Sequence, residues 1–502
     1  MAINFIPNDP GAGATAPTMR QQAKRANRPA SKASFSFPHT STEGVALPGT
    51  PKFLYWQARE AALAAVEAWE AVAGPHKFWQ GNRKKLPLLQ DDGVDLNAFY
   101  NRASFSFFHR QIGATTFFSG ASTDVVAHEV GHGLLDSVRP EFFDVNFLEV
   151  GAFHEAFGDC MSMLTALGDA PTRQKLLLVT GDLRKRNFVE STAEELSRAI
   201  GLAFPGHNAS EPRRAFNTFQ YQLPQTLPGN GGPGALIDEV HSFGMLFTGC
   251  FWELIANLYG AAATHTEASL LSAARLAATI LVAGAKAAVV TPRFLQSVGR
   301  GMVLADQSLN AGANRDHIRN AFLKHNIPLG ANAMFAASMA LDGAAPRGVE
   351  LTPAVRKDLL QRLGSTRGAR LNVEAASHFG QAMVSAVHSR DVPLGAVDKR
   401  LAGVVAVGYE PVMVGGSGGR AAVMGALPNA TDTESEVHAF VRSLLAHDDI
   451  DLKTPKSKTK PKTRGAMAMA AAADVPGAPT HVVRSVGGRK VLQRVRFRCV
   501  CC

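Results

Sequence analysis

Cysteine is scarce in this chain, five residues in 502, and its placement excludes a disulfide-stapled scaffold. Cys160 and Cys250 lie inside apolar helical patterns and are expected to be reduced core residues. Cys499, Cys501 and Cys502 end the chain as Arg-Cys-Val-Cys-Cys, where adjacent thiols suit a tetrahedral metal site poorly. An exposed tail without a defined role is expected there, with metal binding or oxidation as the alternative. A secretory signal is missing too, because residues 1–17 hold no basic segment followed by an apolar one. So is an apolar run long enough to span a bilayer: the longest, 276–285, is bracketed by Arg275 and Lys286. A cytoplasmic protein without a membrane span is the default expectation, with leaderless export left open. Acidic residues are absent from 453–464, which carries six basic ones, and the first fifty residues are also rich in lysine and arginine. The net charge of +10 therefore belongs to the ends of the chain, no recognition motif accompanies it, and no specific nucleic-acid partner is expected.

What is present is an ordinary globular balance, 46% apolar and 19% charged, in a chain long enough for roughly two to four domains. Residues 1–50, rich in Pro, Gly, Ser and basic groups, read as a largely disordered basic arm. Over 57–74, Leu63, Val66 and Val72 recur at helical spacing until Gly74-Pro75 stops the helix. Short strand-like pieces follow at 84–89, 97–110 and 114–120. Ala-Ser-Phe-Ser-Phe occurs twice, at 33–37 and 103–107, either by coincidence or as two strands of one sheet. From 123 to 329 the pattern is strongly helical, with Gly- and Pro-rich breaks near 204–235. Residues 345–450 read as a further α/β unit, with helices near 353–363 and 373–388, apolar strand-like runs at 401–416 and a last helix at 435–447. A basic linker, a Gly-Gly hairpin and the cysteine tail make up 451–502.

The chemistry starts at His128-Glu129-Val130-Gly131-His132. Two histidines four apart on a helix sit about 40° apart around its axis and one turn along it, so both imidazoles can reach one cation. Glu129 then lies beside the cation rather than on it, placed to take a proton from a metal-bound water. Two ordinary helix histidines satisfy the same pattern, so a third ligand decides. Glu155 and Asp159 share one face of a second helix, among the apolar Ala152, Phe153, Ala156 and Phe157. Antiparallel packing would bring Glu155 to the metal and let Asp159 accept the free ring N–H of a ligand histidine. Three protein ligands and one open position form the catalytic arrangement of zinc.

Residues 118–132 and 151–159 resemble the two zinc-binding segments of the thermolysin-like peptidases, the secreted bacterial metalloendopeptidases of the gluzincin group. Asn97-Ala98-Phe99-Tyr100 resembles that family's substrate-binding edge strand, and the likeness spans about 55–329. It implies an α+β catalytic domain with a β/α lobe at 51–122 and a helical lobe at 123–330. It implies one zinc ion on His128, His132 and Glu155, Glu129 as general base and Asp159 orienting His128. Asn97 and the backbone of Ala98 would pair with an extended protein or peptide substrate. His241, oriented by Asp238, would stabilise the oxyanion. Arg214, with Arg213 as its rival, would grip a substrate carbonyl. Phe118 and Val125 would wall a pocket for a bulky hydrophobic residue after the scissile bond. The implied activity is endopeptidase hydrolysis by a zinc-activated water.

The chain also departs from that pattern. The N-terminal lobe is reduced to about 52–122, and signal and propeptide are missing. Asp124 matches one calcium ligand, but 160–175 offers no acidic set to complete such a site, so zinc is expected and structural calcium is not. Residues 345–502 have no counterpart; regulation, partner binding or occupation of the cleft are open to them. The alternative to an active enzyme is a catalytically silent or autoinhibited interaction module on a peptidase fold, which the presence of all three ligands and the base disfavours. An aminopeptidase would need an acidic anchor for a substrate amino terminus, usually in a Gly-x-Met-x-Asn-type loop, and none occurs.

Overall fold

A computed structural model describes residues 2–330, 353, 357, 374–378, 381–417, 420–426, 433–452 and 479–499. Helix α1 (Pro51–Ala73) starts at Thr50, whose hydroxyl accepts from the Phe53 amide behind Pro51, and stops at Gly74. Its buried alanines, Ala58, Ala61, Ala62 and Ala65, let α2 (Thr123–Val138) and α3 (Leu148–Gly168) pack against it. α3 is buried from Leu148 to Leu167, the environment required by a helix apolar on nearly every side. After the short α4 (Ala170–Val179) and α5 (Glu194–Ala203), α6 (Val240–Gly260) also packs on α3, and α7 (Glu267–Ala287), α8 (Phe294–Asn310) and α9 (Arg315–Lys324) complete the helical body. The apolar run at 276–285 lies within α7, which at 21 residues is long and apolar enough to cross a membrane by length and composition. More than half of its most apolar window is buried, against α1, α6 and α8 among others.

Residues 2–50 correct the sequence expectation of a disordered arm: they are placed against the helical body. β1 (Ala2–Phe5) pairs antiparallel with β2 (Arg20–Ala23) beside α1, with Ile3 and Phe5 buried. The arm's basic residues meet acids on α1: Arg25 bonds Glu60 and Glu67, while Arg28 and Lys32 bond Glu70. A composition that signals disorder in isolation is neutralised here by a helix carrying the opposite charge. β3 (Ser34–Ser36) and β4 (Lys85–Leu89) run parallel, and β4 runs parallel to β6 (Phe105–Phe107). The repeated Ala-Ser-Phe-Ser-Phe thus contributes two strands on either side of β4. β5 (Ala98–Tyr100) pairs antiparallel with β6 and contacts α2, and β7 (His109–Ile112) and β8 (Thr115–Phe118) form a separate hairpin.

β9 (Ser191–Thr192) and β10 (Arg213–Arg214) pair over the helical body. In the C-terminal part, β11 (Glu374–His378) and β12 (Gln381–Pro393) occupy the segment expected as a helix near 373–388. β12 aligns over eleven positions with β13 (Val404–Ser417), and that pairing overrides local helical preference. β14 (Arg420–Ala426) pairs with β13, and α10 (Thr433–Ala446) packs on it. The helix expected near 353–363 and the linker at 453–464 lie outside the described residues, apart from positions 353 and 357. The chain returns as β15 (Ile450–Asp451), β16 (His481–Val486) and β17 (Arg489–Arg494). The β16–β17 turn holds Gly487 and Gly488 at φ 57° and 80°, as a type I′ hairpin requires. β17 joins β13 in parallel. Residues 479–499 are therefore built into the fold rather than belonging to the expected free tail. Together these elements make a mixed α+β protein.

α2 and α3 cross closely through two glycines. A Cβ on Gly131 would lie 3.0 Å from the Gly158 Cα, and one on Gly158 would lie 2.6 Å from His128 Nδ1. Gly158→Ala is expected to cost about 1–3 kcal/mol by overpacking. Gly168→Ala, in the same helix with open space around it, should be neutral or gain up to about 1 kcal/mol. Urea unfolding of both variants measures the difference, and equal stabilities would refute the close crossing.

Candidate metal centre and peptide cleft

The N-terminus of α2 is fixed by Ser122, whose hydroxyl accepts from the Val125 amide. One turn further, His128, Glu129 and His132 are fully buried, with ligand atoms within 4.8 Å of one another, so the cluster can hold a metal ion. Because α3 runs antiparallel, its residues meet α2 in reverse order. Glu155 Oε2 lies 3.2 Å from His128 Nε2 and 3.6 Å from His132 Nε2. Asp159 Oδ1 is 2.8 Å from His128 Nδ1, on the far side of the ring. The carboxylate touching both ring Nε2 atoms is that of Glu155, which makes it a better third ligand than Glu129.

Both Glu129 oxygens, His132 Nε2 and Glu155 Oε1 are buried without a hydrogen-bond partner. Each such group costs about 1–3 kcal/mol if left unsatisfied. Two imidazole nitrogens and a carboxylate match the donor set zinc takes in catalytic sites, so the residues fit a bound divalent ion. Burial pushes the Glu129 carboxyl up to about 8 and the His132 imidazole down to about 4. Burial opposes ionisation of Asp159 as well, yet the Arg213 guanidinium and the His128 hydrogen bond bring it to about 2. The neutral His132 and the ionised Asp159 are the forms that ligation and ligand orientation require.

The structure brings His128, Glu129, His132, Glu155, Asp159 and His241 together, and it changes the roles of several neighbours. Glu239, not Asp238, holds His241: its Oε1 is 2.6 Å from Nδ1, while Oε2 accepts from the His241 and Ser242 amides and caps α6. Asp238 precedes the cap, and one of its oxygens lies 3.7 Å from where a Cβ on Gly229 would stand. Arg213, not Arg214, faces the centre. β10 alternates its side chains, so Arg213 bonds Asp159 at 2.8 Å while Arg214 turns to Glu190 at 2.9 Å. Phe118 and Val125 line a cavity of about 10 Å³ with Asp9 and Ser122 rather than the one beside the site. That larger cavity, about 560 Å³, is bordered by Arg213, Ile237, His241, Met245 and Cys499. His154, which lies within the 151–159 segment but is given no role by the sequence, joins the site: its Nδ1 lies 2.8 Å from His132 Nδ1.

Ala98 opens β5, the outermost of the four strands β5, β6, β4 and β3, with Asn97 just before it, and this edge is covered by a fifth strand. β18 (Phe497–Arg498) pairs antiparallel with β5, Phe497 opposite Tyr100 and Arg498 opposite Phe99. The Cys499 amide continues the ladder by donating to the Ala98 carbonyl at 2.8 Å. The Asn97 side chain itself accepts from the Ala98 amide. His241 Nε2 lies 2.5 Å from the Arg498 carbonyl oxygen, and Arg213 donates to the Cys499 carbonyl at 2.7 Å. The Phe497 ring stacks on His132 and His154 at 4.8 and 4.0 Å. Cys499 is buried, against the expectation of an exposed tail, because its backbone is held on both sides; Cys501 and Cys502 lie outside the described residues. Cys160 and Cys250 are free and buried.

A second acidic group gathers around Asp124. Asp9 from the N-terminal arm and Glu194 from α5 bring carboxylate oxygens within 4.8 Å of it, an arrangement that can hold a cation. The expectation that Asp124 lacks acidic partners fails, because they come from elements far from 160–175. Burial, then the Asp124 charge, pushes Glu194 up to about 8.

Neither a protein-family model nor a curated protein matches the chain. The site is tested through its own residues. Asp159→Asn should weaken zinc binding about 10- to 100-fold in equilibrium dialysis, and wild-type affinity would remove its orienting role. Glu194 is raised in the fold, so its contribution is fully present below its ordinary value near 4.5 and is lost as pH climbs through about 8. Glu194→Gln should therefore raise the melting temperature of metal-free protein at pH 8 and leave it unchanged at pH 4. An equal shift at both pH values would contradict the assignment.

Proposed function

We propose that the protein is a zinc-dependent endopeptidase with the two-lobed catalytic architecture of the thermolysin-like family. The lobes would be the β3–β8 region and the helical body, joined by α2. The observation that carries this reading is the coincidence of an orphaned buried ligand set with a sheet edge that takes up an extended peptide backbone. A metal site without such an edge would suit storage or structure; an edge without ligands would suit binding alone.

His128, His132 and Glu155 would hold the ion, which when bound supplies Lewis acidity towards water and a carbonyl oxygen. Glu129, buried beside the ligands with both oxygens unpaired, is suited to take a proton from water and pass it to a departing amine nitrogen. His241 Nε2 is placed to donate to the oxygen on which negative charge develops, its ring fixed by Glu239 at Nδ1. Arg213 grips the next carbonyl along, and the Ala98 backbone sets the register. The apolar part of the 560 Å³ cavity, with Ile237 and Met245, supports a preference for a hydrophobic residue after the scissile bond. A catalytically silent module would have no use for an unpaired buried carboxylate beside the ligands, since that group only destabilises the fold.

Glu129→Gln should retain stoichiometric zinc while hydrolysis of an unstructured protein falls about 10²–10⁴-fold or more. Elemental analysis and a fluorescent-casein assay read the two quantities. Bound zinc with undiminished hydrolysis would strip Glu129 of its role, and absence of zinc from the wild type would remove the reading altogether.

A further inference from the structure

Resting on the function proposed above, we propose that the protein's own Arg498–Cys499 peptide bond is a substrate of this centre, and that its hydrolysis releases the C-terminal Cys-Val-Cys-Cys. Four contacts place that bond. Phe497 and Arg498 lie antiparallel to Ala98–Tyr100, and the Cys499 amide donates to Ala98. The Arg498 carbonyl oxygen is the atom that meets His241 Nε2 at 2.5 Å. The following carbonyl, that of Cys499, is the one held by Arg213. Upstream, the Arg498 guanidinium bonds Asp449 at 2.5 Å, and Phe497 is stacked on both site histidines. A peptide bonded at the carbonyl before the bond, at the carbonyl after it and along the sheet edge between them is held in one register only.

The thiol takes a different position. Cys499 Sγ lies 3.7 Å from Arg213 Nη2, while the Arg498 carbonyl oxygen is the atom of the tail that meets His241. The step balances as simple hydrolysis. Water gives a proton to Glu129 and its oxygen adds to the Arg498 carbonyl carbon. The C–N bond then breaks and the proton passes to the Cys499 nitrogen. The products are a chain ending in the Arg498 carboxylate and a tetrapeptide with a free amine. Losing residues 499–502 removes the contacts to Ala98 and Arg213 and opens the adjoining cavity to other peptides.

Two measurements test this on the full chain. In metal-free, reduced protein, alkylation of Cys499 by iodoacetamide, located by peptide mapping, should be at least tenfold slower than in denatured protein and should speed up in Arg213→Ala; equal rates would refute the seating of the tail. After addition of zinc, intact-mass spectrometry should show wild type shortened by four residues, at a rate independent of protein concentration, with Glu129→Gln remaining full length. If wild type cleaves casein while Arg498–Cys499 stays whole, the inference falls and the proposed function stands. The inference also falls, and the function stands, if only Phe497→Asp, which unseats the tail, cleaves casein, because the tail is then an inhibitor and not a substrate. If neither protein cleaves tail or casein, the function itself is refuted.

Discussion

The structure depends on the antiparallel contact of two fully buried helices that carry their polar groups inwards. Where they cross, α2 and α3 place His128, Glu129, His132, His154, Glu155 and Asp159 where a core would ordinarily hold hydrocarbon. Close packing through Gly131 and Gly158 brings His128 between Glu155 and Asp159, so each ring nitrogen of that histidine meets a carboxylate. Polar groups at this depth are tolerated only if paired, and here the contact leaves the pairing incomplete: the unpaired atoms of Glu129, His132 and Glu155 gather at one point. The surrounding apolar helices supply the stability that such a centre consumes. Phe153 of α3 packs on its neighbour Phe157 and on Phe247 of α6, all three buried, and truncating any one would cost about 3–5 kcal/mol.

Arg213 ties this centre to the cleft. Its guanidinium bonds the Asp159 carboxylate that meets His128 and, with another nitrogen, the Cys499 carbonyl, so the helix contact and the tail contact share one side chain. Its position relies on β10 pairing with β9 and on the buried Glu190, which takes Arg214 and the Phe216 amide on the other face. A two-residue strand thus decides which of two adjacent arginines faces the site.

The same contacts explain how much is legible in the sequence. His128, Glu129, His132, Glu155 and Asp159 can be placed together because helical spacing is a local rule and the apolar flanks announce burial. The sequence points to Arg214 instead of Arg213 because strand alternation has no phase until the partner strand is known. It points to Asp238 instead of Glu239 unless helix capping is weighed: a cap residue folds its carboxylate back onto the first turn, where His241 lies. The basic N-terminal arm and the C-terminal strand depart from expectation for a shared reason. Composition judges a segment as if it stood alone, whereas both segments are ordered by partners hundreds of residues away or by the acids of α1. The mixed α+β class is legible from periodicity, while the long β12–β13 pairing is not, since a non-local ladder leaves little trace in either strand.

The covered edge of β5 poses a physical problem that the chain resolves in an unusual way. A sheet edge that binds peptides must offer unpaired backbone groups, and such an edge also invites association with other chains. Bulges, prolines or charges would blunt it against aggregation but would equally exclude a substrate. Covering it with a strand of the same chain avoids this conflict, because the cover uses the same hydrogen bonds as a substrate and can be replaced by one. The cover is anchored well beyond the edge, through Arg498 to Asp449 and through β17 to the C-terminal sheet, so its local concentration is high and its seating strong. A strand held this firmly would exclude every competing peptide for as long as it stays intact. Hydrolysis after Arg498 would free the stretch of edge that Cys499 holds at Ala98, while Phe497 and Arg498 keep their places opposite Tyr100 and Phe99.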